Sequence, residues 1–285
     1  MALSTENTGE LTAEQVQNVL VQPLEQRSVF LAAGPRIFDS ANPVRIPKAP
    51  QPDPDALQWH GQNEQITEHD AEFDEVTLLP STMKSIKTLT RFSNELARQS
   101  VVQLDAALRA RLVGDVAAKL DAQLLSDTGD GVETPRGLFA YEDTQTVDVG
   151  GALELDAILE AQGLALGANV DPGALRLFIR PDDFTALRGM TDGDGRYMLQ
   201  PDATQGSIGS ILGMQVIVSS RIPAGRAALA DFSQIAVARD VAPSVKLLTE
   251  TYADYDQQAL RVVSRYDAAP LQPDAIVTFD GIGAA

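Results

Sequence analysis

One long helix is the strongest constraint that this sequence places on its fold. Between residues 100 and 125, apolar side chains recur at every fourth position: Leu104, Leu108, Leu112, Val116, Leu120 and Leu124. Ser100–Gln103 has the capping-box pattern of a helix start. Because a spacing of four exceeds the helical repeat of about 3.6 residues, the stripe winds slowly around the axis. The pattern predicts an amphipathic helix that contacts more than one surface.

The first fifty residues read as an arm without a core of its own. Thr12–Gln15 fits a second capping box and predicts a short helix near 13–21, which Pro23 ends. Four prolines then interrupt residues 24–50, and proline fixes φ and removes a hydrogen-bond donor. The arm must lay its apolar patches on another surface. We therefore expect contacts with a neighbouring subunit from Phe30, Ile37 and Phe38.

Residues 51–80 form a second unusual segment, rich in acids and without any lysine or arginine. The acids are Asp53, Asp55, Glu64, Glu68, Asp70, Glu72, Asp74 and Glu75. Apolar residues are sparse there and mostly irregular in spacing, which favours a projecting β-hairpin over a core element. The segment is either a flexible surface loop or a loop that packs on a neighbouring subunit. In the second case Leu57, Trp59 and Phe73 are the expected contacts.

The rest of the chain mixes helices and strands in an α+β order, with no run of regular βαβ units. Strands are predicted at 83–92, 175–179, 214–218, 235–239, 259–263 and 274–279, and helices at 152–166 and from 181 to about 188. Residues 126–137 are rich in turn formers. They lack the full pattern of either a phosphate loop or a calcium loop.

Composition excludes several kinds of chemistry. The chain has no cysteine and only two histidines, His60 and His69, which stand outside any metal-binding or triad motif. We therefore expect no catalytic residue, no metal and no cofactor. The net charge of −18 argues against sequence-specific DNA binding. No apolar run is long enough to span a bilayer and no secretory signal is present, so the cytosol is expected.

The order of these parts resembles the HK97-fold major capsid proteins of tailed bacteriophages. The resemblance covers roughly residues 50–280, with the arm before it also in place. The segments that carry it are 85–96, 122–131, 134–139, 177–184, 194–199, 213–219 and 273–277. Each segment alone is weak evidence for the resemblance, whereas the order and spacing of all seven together are specific to the family.

The resemblance implies a self-assembling structural subunit of an icosahedral shell, in the virion, that encloses double-stranded DNA as pentamers and hexamers. It divides the chain into an N-terminal arm (1–49), an extended loop (50–83), a peripheral domain with the spine helix (84–139), an axial domain (140–255) and a return to the peripheral domain (256–285). Assembly in the host cytoplasm and portal and decoration partners are also implied.

Two departures from the family pattern matter. Some members join their subunits through an isopeptide bond between a loop lysine and a peripheral-domain asparagine, assisted by a glutamate. Here no lysine lies between Lys48 and Lys84, Gln257 and Gln258 stand near the asparagine position, and Arg265 stands near the acid position. We therefore expect no covalent cross-links. The chain also lacks the long helical extension that serves some members as a built-in scaffold, so a separate scaffolding protein is expected.

Three alternatives remain open from the sequence. One is a simple binding module, in which the long arm and the projecting loop would have no purpose. An encapsulin, a cellular compartment of the same fold that holds cargo enzymes, would share most of these features. A hydrolase with paired carboxylates as acid and base is the third. Forty acidic residues make chance pairs inevitable, and none of them lies beside a recognisable site motif.

Overall fold

A computed structural model describes residues 22–48, 59–60, 62, 74–95, 104–191, 194–195, 199, 209–240 and 244–283. The described helices are α1 (Gln22–Arg27), α2 (Val29–Ala32), α3 (Leu104–Leu124), α4 (Leu155–Gly167) and α5 (Pro181–Arg188). Short 3-10 turns occur at Leu138–Ala140, Pro172–Ala174, Phe232–Gln234, Ala253–Tyr255 and Pro273–Ala275. The helix predicted near 13–21 lies outside the described residues.

The strands fall into four sheets. They are β1 (Arg36–Asp39), β2 (Val44–Lys48), β3 (Asp74–Leu78), β4 (Ile86–Ser93), β5 (Gln145–Asp148), β6 (Leu175–Ile179), β7 (Ser210–Ile211), β8 (Met214–Val218), β9 (Ala227–Asp231), β10 (Ile235–Arg239), β11 (Ser244–Leu248), β12 (Gln257–Ser264), β13 (Tyr266–Pro270) and β14 (Ile276–Asp280). The strand orders are β5-β14-β9-β6-β8-β7 (the six-stranded sheet), β11-β12-β4 (the spine sheet), β1-β10-β13 (the arm sheet) and β2-β3 (the loop ribbon).

The predicted apolar stripe of α3 packs into the larger core. Its buried side chains include Leu112, Val116, Leu120 and Leu124, at the predicted spacing of four. One face of the six-stranded sheet joins this core through Phe178, whereas its opposite face packs on α4 and α5 in a second core. Residues of β6 and β9 alternate between the two cores, as the two-residue period of a strand requires. The long helix is thus confirmed.

The arm differs from its sequence prediction. Residues 22–27, which the sequence prediction left without a helix, form α1, and Pro23 lies in its first turn, where proline is tolerated because the N–H has no helical partner. Leu24, Phe30 and Leu31 are buried in the core that contains α3. This part of the arm therefore does have a core, which it shares with the body of its own subunit.

Strand pairing also crosses the expected domain boundaries. The closing strand β14 lies between β5 and β9 in the six-stranded sheet, and its first residue, Ile276, is buried in the core that contains α3. Conversely, β11 pairs with β12 beside β4 in the spine sheet, although 244–248 fall within the predicted axial segment. Strands far apart in sequence thus pair within one sheet.

Candidate assembly surfaces

A buried carboxylate on α3 fixes the arm to the body. Asp121 is 4% exposed, and it accepts hydrogen bonds from Ser28 Oγ at 2.6 Å, Val29 N at 2.9 Å and Phe30 N at 3.2 Å. Ser28 caps α2 and accepts from Leu31 N. The first N–H groups of a helix have no intrahelical acceptor, and the carboxylate supplies one. Asp121 therefore stabilises both the helix start and its position.

An aromatic cluster continues this attachment. Phe232 stacks on Phe178 with ring centroids 4.6 Å apart, and Phe30 meets Phe232 edge to face at 5.0 Å. The side chain of Phe30 is fully buried in its own subunit. Its expected role as a contact with a neighbouring subunit is therefore wrong, because core residues of the same chain, including Phe232, already enclose it.

The next part of the arm is more open. β1 pairs in parallel with β10, and Arg239 binds Asp39 through two bonds of 2.6 and 2.8 Å. Phe38 is half-buried against a small cluster that contains Leu78 and Leu79, whereas Ile37 is 36% exposed. Of the three arm residues singled out from the sequence, Ile37 has the most surface available to a second copy.

The loop ribbon forms the base of the predicted hairpin. β2 and β3 pair antiparallel, and Arg45 lies 3.7 Å from Glu75 across them. Trp59, in the segment that joins the two strands, is 101% exposed, so its side chain is not packed against the described part of its own chain. The other two apolar residues expected to make contacts here, Leu57 and Phe73, lie outside the described residues.

A second buried carboxylate lies where the loop ribbon meets the arm sheet. Leu79 has a positive φ of 53°, and its N–H donates to Asp267 Oδ2 at 2.8 Å. The N–H of Ala268 donates to Oδ1 at 2.9 Å. Burial raises the pKa of Asp267 to about 6, although both hydrogen bonds oppose the shift. The buried Tyr141 hydroxyl has no hydrogen-bond partner among the described residues, and its pKa is raised by burial and then by the charge of Asp267.

This buried acid predicts a pH-dependent stability. The native carboxyl holds its proton up to about pH 6 and the unfolded one only to about its ordinary pKa of 3.8. The native state therefore binds more protons in that interval, and its free energy of unfolding falls as pH rises through it. We expect the difference between wild type and Asp267→Asn to change by about 3 kcal/mol between pH 4 and pH 7. Urea unfolding at each pH measures it.

The matched control for this measurement is Asp274→Asn, a change at an exposed acid on the neighbouring turn. It should leave the pH profile parallel to that of wild type. A profile for Asp267→Asn that is also parallel to wild type would show that Asp267 titrates as an ordinary surface acid.

The described part of the chain gives no evidence for a catalytic or metal-binding site. It contains no cluster of three or more metal-binding side chains and no helix long and apolar enough to cross a membrane. A cavity of about 450 Å³ beside the loop ribbon is lined in part by Asp130 and Tyr141. Asp130 Oδ1 accepts from the N–H groups of Val132, Glu133 and Thr134, which lower its pKa. This oxygen is thus occupied by the turn that it stabilises.

The spine sheet presents a surface that the sequence prediction missed. Its inward residues, including Leu260 and Val262, pack on the core of α3. Its outward face, called the basic face below, includes Lys87, Leu89, Arg91, Lys246 and Arg261. Alternating cations on β4 were visible in the sequence. Their alignment with the cations of β11 and β12 required the strand register.

Comparison with solved structures identifies the fold. The capsid of a native GTA particle, computed with C5 symmetry, matches with a TM-score of 0.70 and 15% identity over 99% of this chain and 95% of that one. A structure from Microbacterium phage Oxtober96 matches with 0.68 and 18% over 89% and 90%. One from Mycobacterium phage Bobi matches with 0.66 and 17% over 89% and 90%. The predicted α+β, HK97-like fold is confirmed.

The family follows from the sequence itself. The model of the phage capsid family matches residues 8–281, and the chain belongs to that family. It is thus a structural capsid subunit of a virion, and the encapsulin alternative is not favoured. No curated protein matches the sequence.

Proposed function

We propose that this chain assembles into pentamers and hexamers that close an icosahedral head around double-stranded DNA. The observation that carries the proposal is Trp59, which is wholly exposed in one subunit although it lies in a segment with Leu57 and Phe73. Aromatic residues are enriched at the centres of protein interfaces. Burial of this segment on a second copy removes its apolar surface from water, which stabilises the assembly.

The arm supports the same proposal at a second place. Ile37 and Phe38 lie on β1, at the edge of the arm sheet, and as consecutive strand residues they point to opposite faces of that sheet. We assign these two residues, with Leu57, Trp59 and Phe73, to contacts between subunits. A contact between two different patches on neighbouring copies is heterologous. Repeated contacts of this kind form a closed ring when the rotation from copy to copy completes a full turn.

The partners belong to the same proposal. We propose that assembly takes place in the host cytoplasm. Its partners are a separate scaffolding protein, a portal and decoration proteins, and this chain performs no enzymatic step. The net charge of −18 supports enclosure of DNA without sequence-specific binding. A negative wall repels phosphates, so packaged DNA stays free to leave.

Expression of the chain with and without candidate scaffolding proteins tests this function. We expect closed particles of megadalton mass by light scattering and electron microscopy. On a denaturing gel, the dissolved particles should give one band at the mass of a single chain, because the loop has no lysine to form a covalent cross-link. A monomer at every concentration and with every helper contradicts the proposal, and a ladder of covalent oligomers contradicts the absence of cross-links.

A further inference from the structure

A groove of about 430 Å³ lies between the start of the arm and the six-stranded sheet. Arg27 and Val29, where α1 meets α2, form one wall, and residues 218–221, at the end of β8, form the other. One face of α3 is the floor. Val218 is 39% exposed, so the groove leaves apolar surface open that an occupant would cover.

The floor allows another segment to approach α3 closely. Gly114, Ala117, Ala118 and Asp121 recur at the i, i+3, i+4 and i+7 positions, which lie on one face of the helix. The distance between two packed helices depends on the side chains at the contact, and three of these four are small. Asp121 already accepts three hydrogen bonds from the arm. The floor therefore offers small apolar side chains, and its acid is already bonded.

The two walls of the groove carry positive charge. The guanidinium of Arg27 reaches α3, where its Nη1 donates to Ala110 O at 2.6 Å. A Cβ at position 114 would stand 3.2 Å from this nitrogen, so the glycine there makes room for it. Arg221 is exposed on the facing wall. Within the described part of the chain, none of the ion pairs involves Arg27 or Arg221. The groove therefore favours an acidic occupant.

The segment directly before α1 has the complementary chemistry. Residues 1–21 contain three glutamates and no lysine or arginine. The sequence predicts a helix near 13–21, whose apolar side chains recur at the i, i+3 and i+4 positions: Val16, Val19 and Leu20. Residues at these positions are the anchors with which an amphipathic helix binds in a groove. The charge and the apolar spacing of the segment thus both match the groove.

The connection is short enough for this segment to reach the groove of its own copy. α1 packs on α3, and its six residues extend over about 9 Å. Gln22, at the start of α1, therefore lies close to the wall that Arg27 forms. A short covalent connection gives the segment an effective concentration in the millimolar range. A segment of another molecule has no such advantage.

We propose that residues 13–21 lie as a helix in the groove of the same copy, with their apolar face against α3. Arg27 and Arg221 then balance the negative charge of residues 1–21. This docking does not depend on assembly of the subunits. It fixes the start of the arm within its own subunit, so that β1 is the first part of the arm left for a neighbouring copy.

Maleimide labelling of the whole, unassembled chain tests the docking, because the sequence has no cysteine. Ala118→Cys places a reporter on the floor of the groove. In this background, serine at the three apolar positions should speed labelling at least five-fold: Val16→Ser, Val19→Ser and Leu20→Ser. The matched control changes polar positions of the same segment and should leave the labelling rate unchanged: Gln15→Ser, Gln17→Ser and Asn18→Ser.

Two further reporters separate the docking from general effects on the fold. Lys119→Cys is exposed on α3 outside the groove, and it should be labelled at the same rate with the wild-type segment and with both altered segments. Ser220→Cys, on the wall that follows β8, should repeat the result of Ala118→Cys and replaces it where that variant fails to fold.

Equal labelling rates in the apolar and the polar variants overturn the docking and leave the proposed function standing. Protection that rises with protein concentration, or that occurs only in particles, assigns the groove to a second copy and overturns the proposal. Protection that requires an added scaffolding protein overturns it as well. Absence of particles from the wild-type chain overturns the proposed function alone, because the labelling is measured before assembly.

Discussion

Replacement of Asp121 with alanine is expected to lower the free energy of unfolding by at least about 4 kcal/mol, because three hydrogen bonds to a charged acceptor are lost and each contributes about 1.5–3 kcal/mol. The change removes the acceptor of Ser28 Oγ, Val29 N and Phe30 N together. It leaves polar groups at the start of α2 without partners in a buried place, which costs additional free energy. Urea unfolding gives the size of the loss.

The same change should free the arm before it unfolds the body. Arg27 lies directly before the lost contacts and donates to Ala110 O at 2.6 Å. Limited trypsin digestion should therefore cut after Arg27 faster in Asp121→Ala than in wild type. Asp115→Ala is the matched control, since Asp115 lies on the same helix with an exposed side chain. Equal stability of the two variants would mean that Asp121 does not hold the arm.

Truncation of Phe232 to alanine should cost about as much, about 4 kcal/mol, for a different reason. The ring is 1% exposed and lies between Phe178 and Phe30. Removal of a buried phenylalanine loses its transfer free energy and leaves a cavity, with typical losses of about 3–5 kcal/mol. Both aromatic contacts are lost as well.

A graded variant distinguishes packing from a general disturbance of the fold. Phe232→Leu keeps most of the volume and should lose clearly less stability than Phe232→Ala. Phe92→Ala, at a partly buried ring on the rim of the same core, should also lose less. Equal losses for the alanine and leucine variants at 232 would contradict the cavity argument.

The periodic elements could be predicted from the sequence. The stripe of α3 and the strands at 86–93, 175–179, 214–218 and 235–239 follow from apolar spacing and from flanking turn residues. β9 was missed because its sequence, Ala-Ala-Leu-Ala-Asp, has no alternation and little β-propensity. It is buried on both faces of the six-stranded sheet, and neighbouring strands determine its conformation.

The misassigned surfaces have a common physical cause. Phe30 was predicted to be exposed because Phe232, whose ring packs against it, lies about two hundred residues later in the chain. The acceptor for its N–H, Asp121, reads as one more acid on the polar side of a helix. The basic face required the register of three strands that are distant in sequence. Local pattern identifies elements, whereas partners across the fold depend on tertiary pairing.

The position of β14 has a consequence for synthesis on the ribosome. This strand is an interior member of its sheet, yet residues 276–280 are made after all the strands that it joins. At about 5–20 residues per second, translation needs about 2–9 s to proceed from the end of β9 to β14. During that interval β5 and β9 lack their shared neighbour, and an unpaired strand edge is a template for aggregation. A nascent chain stalled before residue 276 is therefore a natural client for chaperones.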